Sequence, residues 1–254
     1  MQINTDGLVI RESSVGENDR LITVLTREEG LIRAFARQAK SVKNSKASST
    51  QLLCYSRFSI YQGRDKYMIN DAQPLAVFFD LRKDLGRLSL AQYFCELAGA
   101  LAPEESPAGD FLRLILNALH FLSKGLRPNL LLKAIVEMRM LSLAGYMPDL
   151  VSCGECGCYE AEEMRFLPQS GILYCKECWD KLDSSLRDQP SLPIGKGTLT
   201  AFRHTIYAEF DKLFSFQLPE AALARLAQVS ETYLLHIWGR GFRTLDFYHQ
   251  MEGF

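Results

Sequence analysis

Three features of this 254-residue chain predict an α+β fold. The first third is a series of short runs rich in β-branched and aromatic residues, the composition of strands. From Leu85 onward the apolar residues recur at helical spacing. Between the helical stretches stand two Cys-x-x-Cys pairs, Cys153-Gly-Glu-Cys156 and Cys175-Lys-Glu-Cys178, separated by eighteen residues. The expected architecture is an N-terminal five-stranded barrel followed by an α-helical domain into which a small cysteine module is inserted.

The strand runs are GLVI from Gly7, RLITVLT from Arg20, LIRAFAR from Leu31, RFSIYQ from Arg57 and KYMIND from Lys66. Glu28-Glu29-Gly30 and Gln62-Gly63-Arg64-Asp65 have the composition of hairpin turns. Phe58, Ile60 and Gln62 alternate with Arg57, Ser59 and Tyr61, as in a half-buried strand. Five strands in so short a segment fit an OB-fold, whose face commonly binds oligonucleotides; an SH3-like barrel is the structural alternative. The barrel domain is expected over residues 1–78, with the pattern changing near Pro74.

The helical domain is expected over residues 79–150 and 180–254. Leu90, Tyr93, Phe94, Leu97, Ala98 and Leu101 share one face of a first helix, which Pro103 stops. Ser106-Pro107 predicts a helix start, with Ser as cap and Pro at the first position; Gly125 ends that helix. The helix opened by Asn129 is apolar nearly all round and ends at Gly145, which predicts the buried centre of the domain. Thr198 is expected to cap a helix through Phe210, and Pro219 to begin another, with Leu223, Leu226, Val229, Tyr233, Leu234 and Ile237 at core spacing.

Five of the seven cysteines lie between Cys153 and Cys178, while Cys54 and Cys95 sit alone in apolar surroundings, as small buried residues do. The N-terminus lacks a secretory signal, so a disulfide framework is not expected and a metal site is favoured. Short spacing aims two thiolates at one ion, and a second pair completes a tetrahedron, which suits zinc. The expected ligands are Cys153, Cys156, Cys175 and Cys178 in a module over residues 151–179; Cys158 is an alternative to Cys156. Four thiolates leave no position for water, so the site is expected to be structural. A thioredoxin-type redox pair would need a βαβ context that is not seen.

Charge is segregated. The formal net charge is −1, yet Leu31 to Arg64 contains no Asp or Glu and carries Arg33, Arg37, Lys40, Lys43, Lys46, Arg57 and Arg64. Such a stretch fits an anionic partner, of which a polyphosphate is the commonest, and equally fits a solvated loop. Gly195-Lys196-Gly197-Thr198 fails as a phosphate-binding loop, because Gly197 stands where Ser or Thr should follow the Lys. No G-x-G-x-x-G and no H-E-x-x-H occurs, and the four histidines form no evident nucleophile–base pair. Nothing argues for an enzyme. No apolar run is long enough to span a membrane, so a cytoplasmic protein without membrane attachment is expected.

The order of these parts resembles the RecO family of bacterial recombination mediators. Gly16-Glu17-Asn18-Asp19-Arg20, leading into Leu21 to Thr26, resembles the family's G-E-x-D-R motif before a strand. Glu29 to Ala34 followed by basic residues, Gly145-Tyr146-Met147-Pro148 before the cysteines, and Phe166-Leu167-Pro168 through Gly171 to Cys175 resemble later stretches of the family. The family often has a denser Lys-Gly-Ala-Arg-Arg sequence where this chain has Arg37-Gln-Ala-Lys-Ser41.

The resemblance implies a non-enzymatic, nucleoid-associated DNA-repair protein. It would bind single- and double-stranded DNA, anneal complementary strands and, with RecR, load RecA onto DNA coated by single-strand-binding protein. It further implies that the C-terminal tail of single-strand-binding protein docks on the helical domain. A groove along Leu130 to Tyr146, near Lys133 or Arg139, is the expected receptor. Phosphates would be bound by Arg20, Arg33, Arg37, Lys40, Lys43, Lys46, Arg57, Arg64 and Lys66, with Tyr55, Phe58, Tyr61 and Tyr67 as stacking faces. The contrasting reading is a zinc-stabilised adaptor whose basic loop binds an acidic protein partner.

Overall fold

The computed structural model describes residues 1–41, 44, 46–64 and 66–252. By internal contact the chain divides into two compact units. One comprises Met1–Leu126 and the C-terminal segment from Phe242; the other is Arg127–Gly241.

The first unit is built on a closed five-stranded barrel, in the order β1-β2-β3-β5-β4. Its strands are β1 (Gln2–Val15), β2 (Asp19–Thr26), β3 (Leu31–Ala36), β4 (Cys54–Gln62) and β5 (Tyr67–Val77). Neighbours are antiparallel except β3 and β5, which meet in parallel through Ala34↔Tyr67 and Phe35↔Met68. A single helical turn, α1 (Lys46–Ser49), lies between β3 and β4. This is the topology of the expected OB-fold.

Strand alternation decides what each residue does. Along β3, Ile32, Ala34 and Ala36 enter the barrel core with Val9, Ile22, Val24, Phe58, Ile60 and Ile69. Leu31, Arg33 and Phe35 therefore point outward, as successive side chains on a strand must take opposite faces. Phe58 is 1% exposed; it belongs to the core and offers no stacking face. The barrel strands run on past Pro74, where the sequence pattern changes, and stay within the expected span of residues 1–78. β5 continues to Val77, and Pro74 pairs with Ser56 beside a register shift. A bulge tolerates a residue without an N–H.

Two helices follow in this unit, α2 (Leu85–Leu101) and α3 (Gly109–Lys124). Asp84 caps α2 by accepting a bond from the Arg87 N–H at 3.0 Å. Ser106-Pro107 does not begin α3. Ala108 precedes it, and the Ala108 N–H donates to the Arg27 carbonyl at 2.9 Å. That bond ties the helix start to the β2–β3 turn, and the segment before it bends at Glu105, which has φ +53°. Thr244 of the C-terminal helix α9 (Arg243–Glu252) bonds the Glu96 carboxylate of α2.

The second unit centres on α4 (Asn129–Leu143), every residue of which from 131 to 141 is buried. Around it lie α7 (Lys196–Tyr207), α8 (Glu220–Trp238) and a four-stranded sheet of order β6-β8-β7-β9. The strands are β6 (Asp149–Cys153), β7 (Glu163–Leu167), β8 (Ile172–Cys175) and β9 (Leu192–Gly195). The sheet is joined to the helices by Phe166, which meets Phe202 of α7 edge-on at 5.2 Å and Tyr233 of α8 at 5.5 Å. Thr198 lies inside the first turn of α7, buried, rather than capping it. Extended β9 runs directly into the helix, so the start falls at Lys196.

The two bases expected to border a groove on α4 are not available on a surface. Lys133 is 1% exposed and bonds Glu137 at 2.8 Å and Glu231 at 2.6 Å. The Ser230 hydroxyl donates to the other Glu137 oxygen at 2.7 Å. Arg139 is buried, donates to the Ala208 carbonyl and lies over the Phe210 ring. Burial alone would lower the Lys133 pKa, but the two carboxylates outweigh it and hold it above the usual lysine value.

Candidate nucleic-acid interface and metal centre

The outward faces of β2 and β3 form one wall of a cleft of about 660 Å³ in the first unit. Register places Leu21 opposite Phe35 and Thr23 opposite Arg33. Lys66 and Tyr67, at the start of β5, extend the lining, and Gly99, Glu104 and Glu105 complete it. The cleft thus holds two cations, two aromatic rings and two carboxylates. Among the described residues, Arg33 and Lys66 make no ion pair. The cleft's size suits a small organic group, and its mixture of cations with apolar faces suits nucleotides in particular.

The basic residues expected at the site are spread over several settings. Arg33 and Lys66 line the cleft. Arg37 follows β3 and is exposed, as is Arg64 in the β4–β5 turn. Arg20 is half-buried and donates to the Ala47 carbonyl at 2.7 Å and the Thr50 hydroxyl at 3.1 Å. Lys40 reaches the Gly16 carbonyl at 3.0 Å, and Lys46 the Ile69 carbonyl at 3.5 Å. These three donate to neutral oxygens, carbonyls and one hydroxyl, so in those bonds no carboxylate cancels their charge. Arg57 differs: it pairs with Asp6 through two bonds of 2.8 and 3.1 Å. That hydrogen-bonded guanidinium holds the Asp6 carboxyl below its usual range. Lys43 lies outside the described residues.

Of the expected stacking residues, Tyr67 lines the cleft, Tyr61 is exposed on β4 and Tyr55 is half-buried. Phe35, which sequence reasoning did not single out as a stacking face, stands in the cleft. Its signal was weak: Leu31, Arg33 and Phe35 alternate in burial with Ile32, Ala34 and Ala36, but of the six only Arg33 is polar. Arg203 was also missed. From α7 it donates to the carbonyls of Leu150 at 2.7 Å, Val151 at 3.0 Å and Tyr159 at 2.5 Å, and it lies 3.8 Å from the centre of the Tyr159 ring. It binds both ends of the first cysteine turn to the helix.

The sulfurs of Cys153, Cys156, Cys175 and Cys178 all lie within 4.8 Å of one another. Cys153 ends β6 and Cys175 ends β8; Cys156 lies in the following turn and Cys178 on the short helix α5 (Lys176–Trp179). The first turn closes when the Gly157 N–H donates to the Cys153 carbonyl at 2.9 Å, with Gly157 at φ +71°, a conformation that favours glycine. The Cys156 and Cys175 sulfurs are 3.8 Å apart. A tetrahedral ion with metal–sulfur bonds of about 2.3 Å would separate its ligands by about the same distance.

Two of the four thiols, Cys153 and Cys156, are also prepared electrostatically. Burial would raise Cys153, but the backbone N–H groups of Cys156, Cys175 and Glu155 outweigh it and bring it to about 6. The Cys158 N–H lowers Cys156 as well. Cys158 itself is pushed up to about 12 by burial and by its bond to Cys156, and Cys178 is raised by bonds to Cys175 and Cys156. Thiolates packed this closely repel, and a divalent cation relieves the repulsion. The donor set therefore fits a metal ion and is compatible with zinc.

A closed OB-fold barrel with a cleft of mixed charge and aromatic rings, followed along the chain by helices and a four-cysteine cluster, is an architecture of the kind that nucleic-acid-binding proteins use. Residues 1–78 match the family described as Recombination protein O N terminal, and residues 82–246 match Recombination protein O C terminal. The chain belongs to the RecO family. It is 33% identical over 250 residues to a DNA repair protein RecO of Acetivibrio thermocellus, covering 98% of this chain and 97% of that one. It is 31% identical to a DNA repair protein RecO of Desulforudis audaxviator, over 98% and 97% of the two chains. With the DNA repair protein RecO of Symbiobacterium thermophilum the identity is 30%, over 96% and 95%. Among the described residues, no helix is long and apolar enough to cross a membrane.

Proposed function

We propose that this chain is a DNA-repair and recombination mediator that binds single- and double-stranded DNA through its barrel and anneals complementary strands. With RecR, it helps load RecA onto DNA coated by single-strand-binding protein, whose C-terminal tail it also contacts. It acts without catalysis, in the cytoplasm at the nucleoid. The observation that carries this reading is the cleft on β2 and β3, where Arg33 and Lys66 stand beside Phe35 and Tyr67. Membership of the RecO family supports the repair role.

The mechanism is charge neutralisation with stacking. Arg33 and Lys66 hold phosphates at the cleft, and exposed Arg37 and Arg64 extend the track. Arg20, Lys40 and Lys46 add positive potential while securing the segment around α1. Arg57 contributes least, because Asp6 cancels its charge. Stacking on Phe35 and Tyr67 tolerates any base, as repair requires. Annealing follows when two strands are held with their repulsion screened. The four cysteines bind zinc in a closed, structural site that organises a subdomain too small for a core of its own.

The test is fluorescence anisotropy of a labelled single-stranded oligonucleotide at several salt concentrations. Neutralising about five phosphates gives a log–log slope of roughly −3.5. Absence of binding at low salt would overturn the reading and leave an adaptor for an acidic protein partner.

A further inference from the structure

The two carboxylates in the cleft are out of place for a surface that only collects phosphates. Glu104 and Glu105 line it together with Arg33 and Lys66, and among the described residues neither is ion-paired. Their position is built into the barrel. The Leu31 N–H donates to the Pro103 carbonyl at 2.9 Å, and Glu104 bridges both Gly30 and Leu31. Gly30 has no room for a side chain here: an added Cβ would stand 2.2 Å from the Pro103 oxygen. The acidic segment is thus held along the β2–β3 turn at the rim of the cleft.

Resting on the reading of the cleft as a single-stranded DNA site, we infer that Glu104 and Glu105 recognise the amino groups of bases and give the cleft a preference for cytosine over thymine. A carboxylate repels the phosphodiester, so the backbone follows Arg33 and Lys66 and the base edges turn toward the acidic rim. An ionised carboxylate only accepts hydrogen bonds. Cytosine offers it the N4 amino group, whereas thymine presents the O4 carbonyl oxygen at the same place. Thymine's one donor on that edge, N3–H, stands between two carbonyl oxygens that repel a carboxylate, and stacking on Phe35 and Tyr67 does not distinguish the two pyrimidines.

The experiment compares oligo-dC with oligo-dT of equal length by anisotropy, in the full-length protein, at a mildly alkaline pH where cytosine N3 is unprotonated. The expected result is tighter binding of oligo-dC by about five-fold or more. In the E104Q/E105Q variant the preference collapses, because an amide serves either base, and both oligonucleotides bind more tightly than to the original chain. The variant's denaturation midpoint is measured alongside to confirm an intact fold. Equal binding of the two oligonucleotides by the original chain overturns base selection and leaves the DNA-binding reading standing. A preference that survives in the variant overturns the role of the two glutamates. Failure to bind either oligonucleotide overturns the selection together with the function it rests on.

Discussion

Whether a basic residue contributes to binding depends on what its charge meets in the folded chain. Arg33 and Arg57 look alike in the sequence, each in a strand run and followed by an apolar residue. Arg33 lines the cleft, whereas Arg57 is held by Asp6 on the neighbouring strand. R33A is therefore expected to weaken single-stranded DNA binding and to reduce the salt slope by about 0.7, with K66A adding a similar loss. R57A should change neither by a measurable amount, and side-by-side anisotropy titrations check the contrast. The sequence showed a cluster of positive charge; the cancelling partner, Asp6, is fifty-one positions away and could not be paired with Arg57 from the chain alone. Gly30 makes a second residue-scale point. It has φ +63° and is packed against the carbonyls of Pro103 and Ser106. G30A should destabilise the protein by about 1–3 kcal/mol in chemical denaturation, through a strained backbone and displacement of the acidic rim.

At the scale of elements, the second unit depends on two kinds of cross-link. The first is the buried set Lys133, Glu137, Ser230 and Glu231, which joins α4 to α8. K133M leaves Glu137 buried without its cation and is expected to cost about 3–5 kcal/mol, read from the shift of the urea midpoint. Because the Lys133 pKa is raised in the fold, its contribution is present below the lysine range and is lost as pH rises through the raised value. Alkaline titration of stability should therefore show a decline that K133M lacks. The second is the four-cysteine cluster, which fits a metal ion. Chelation, or C175S, should remove bound zinc and melt the β6–β8 segment, seen as loss of hydrogen-exchange protection there while the barrel stays protected. The spacing of the cysteines was enough to foresee the centre. Nothing in the sequence marked Arg203 as the side chain that gathers three carbonyls around it, because a carbonyl partner has no residue signature.

At the scale of the whole molecule, the proposed mediator role requires affinity that is reversible. Binding dominated by phosphate neutralisation meets that need, since each contact is weakened by competing ions. Annealing of complementary oligonucleotides should accordingly be fastest at low salt and fall with the same salt dependence as single-strand binding. An R33A/K66A variant should anneal more slowly than the original chain in a fluorescence-quenching assay.

The five strands and most helices were legible because hydrophobic period is a local property, set by which face of each element is buried. The four-cysteine centre was legible for a related reason, that metal-binding turns need fixed short spacings. Other features depended on partners remote in the chain. Pro74 remained within β5 because a bulge opposite Ser56 spared it a donor, and α3 began after Ser106-Pro107 because the Arg27 carbonyl bound Ala108. Lys133 and Arg139, which composition suggests for a surface, were drawn inside by carboxylates, a carbonyl and a ring. The cleft itself combines β2, β3, β5 and the segment after α2, and only the closing of the barrel brings Arg33, Lys66 and Glu104 into one lining. Local pattern settles which face a residue takes; the charges and rings it meets there are settled by contacts between segments, whose energies are nowhere encoded in neighbouring letters.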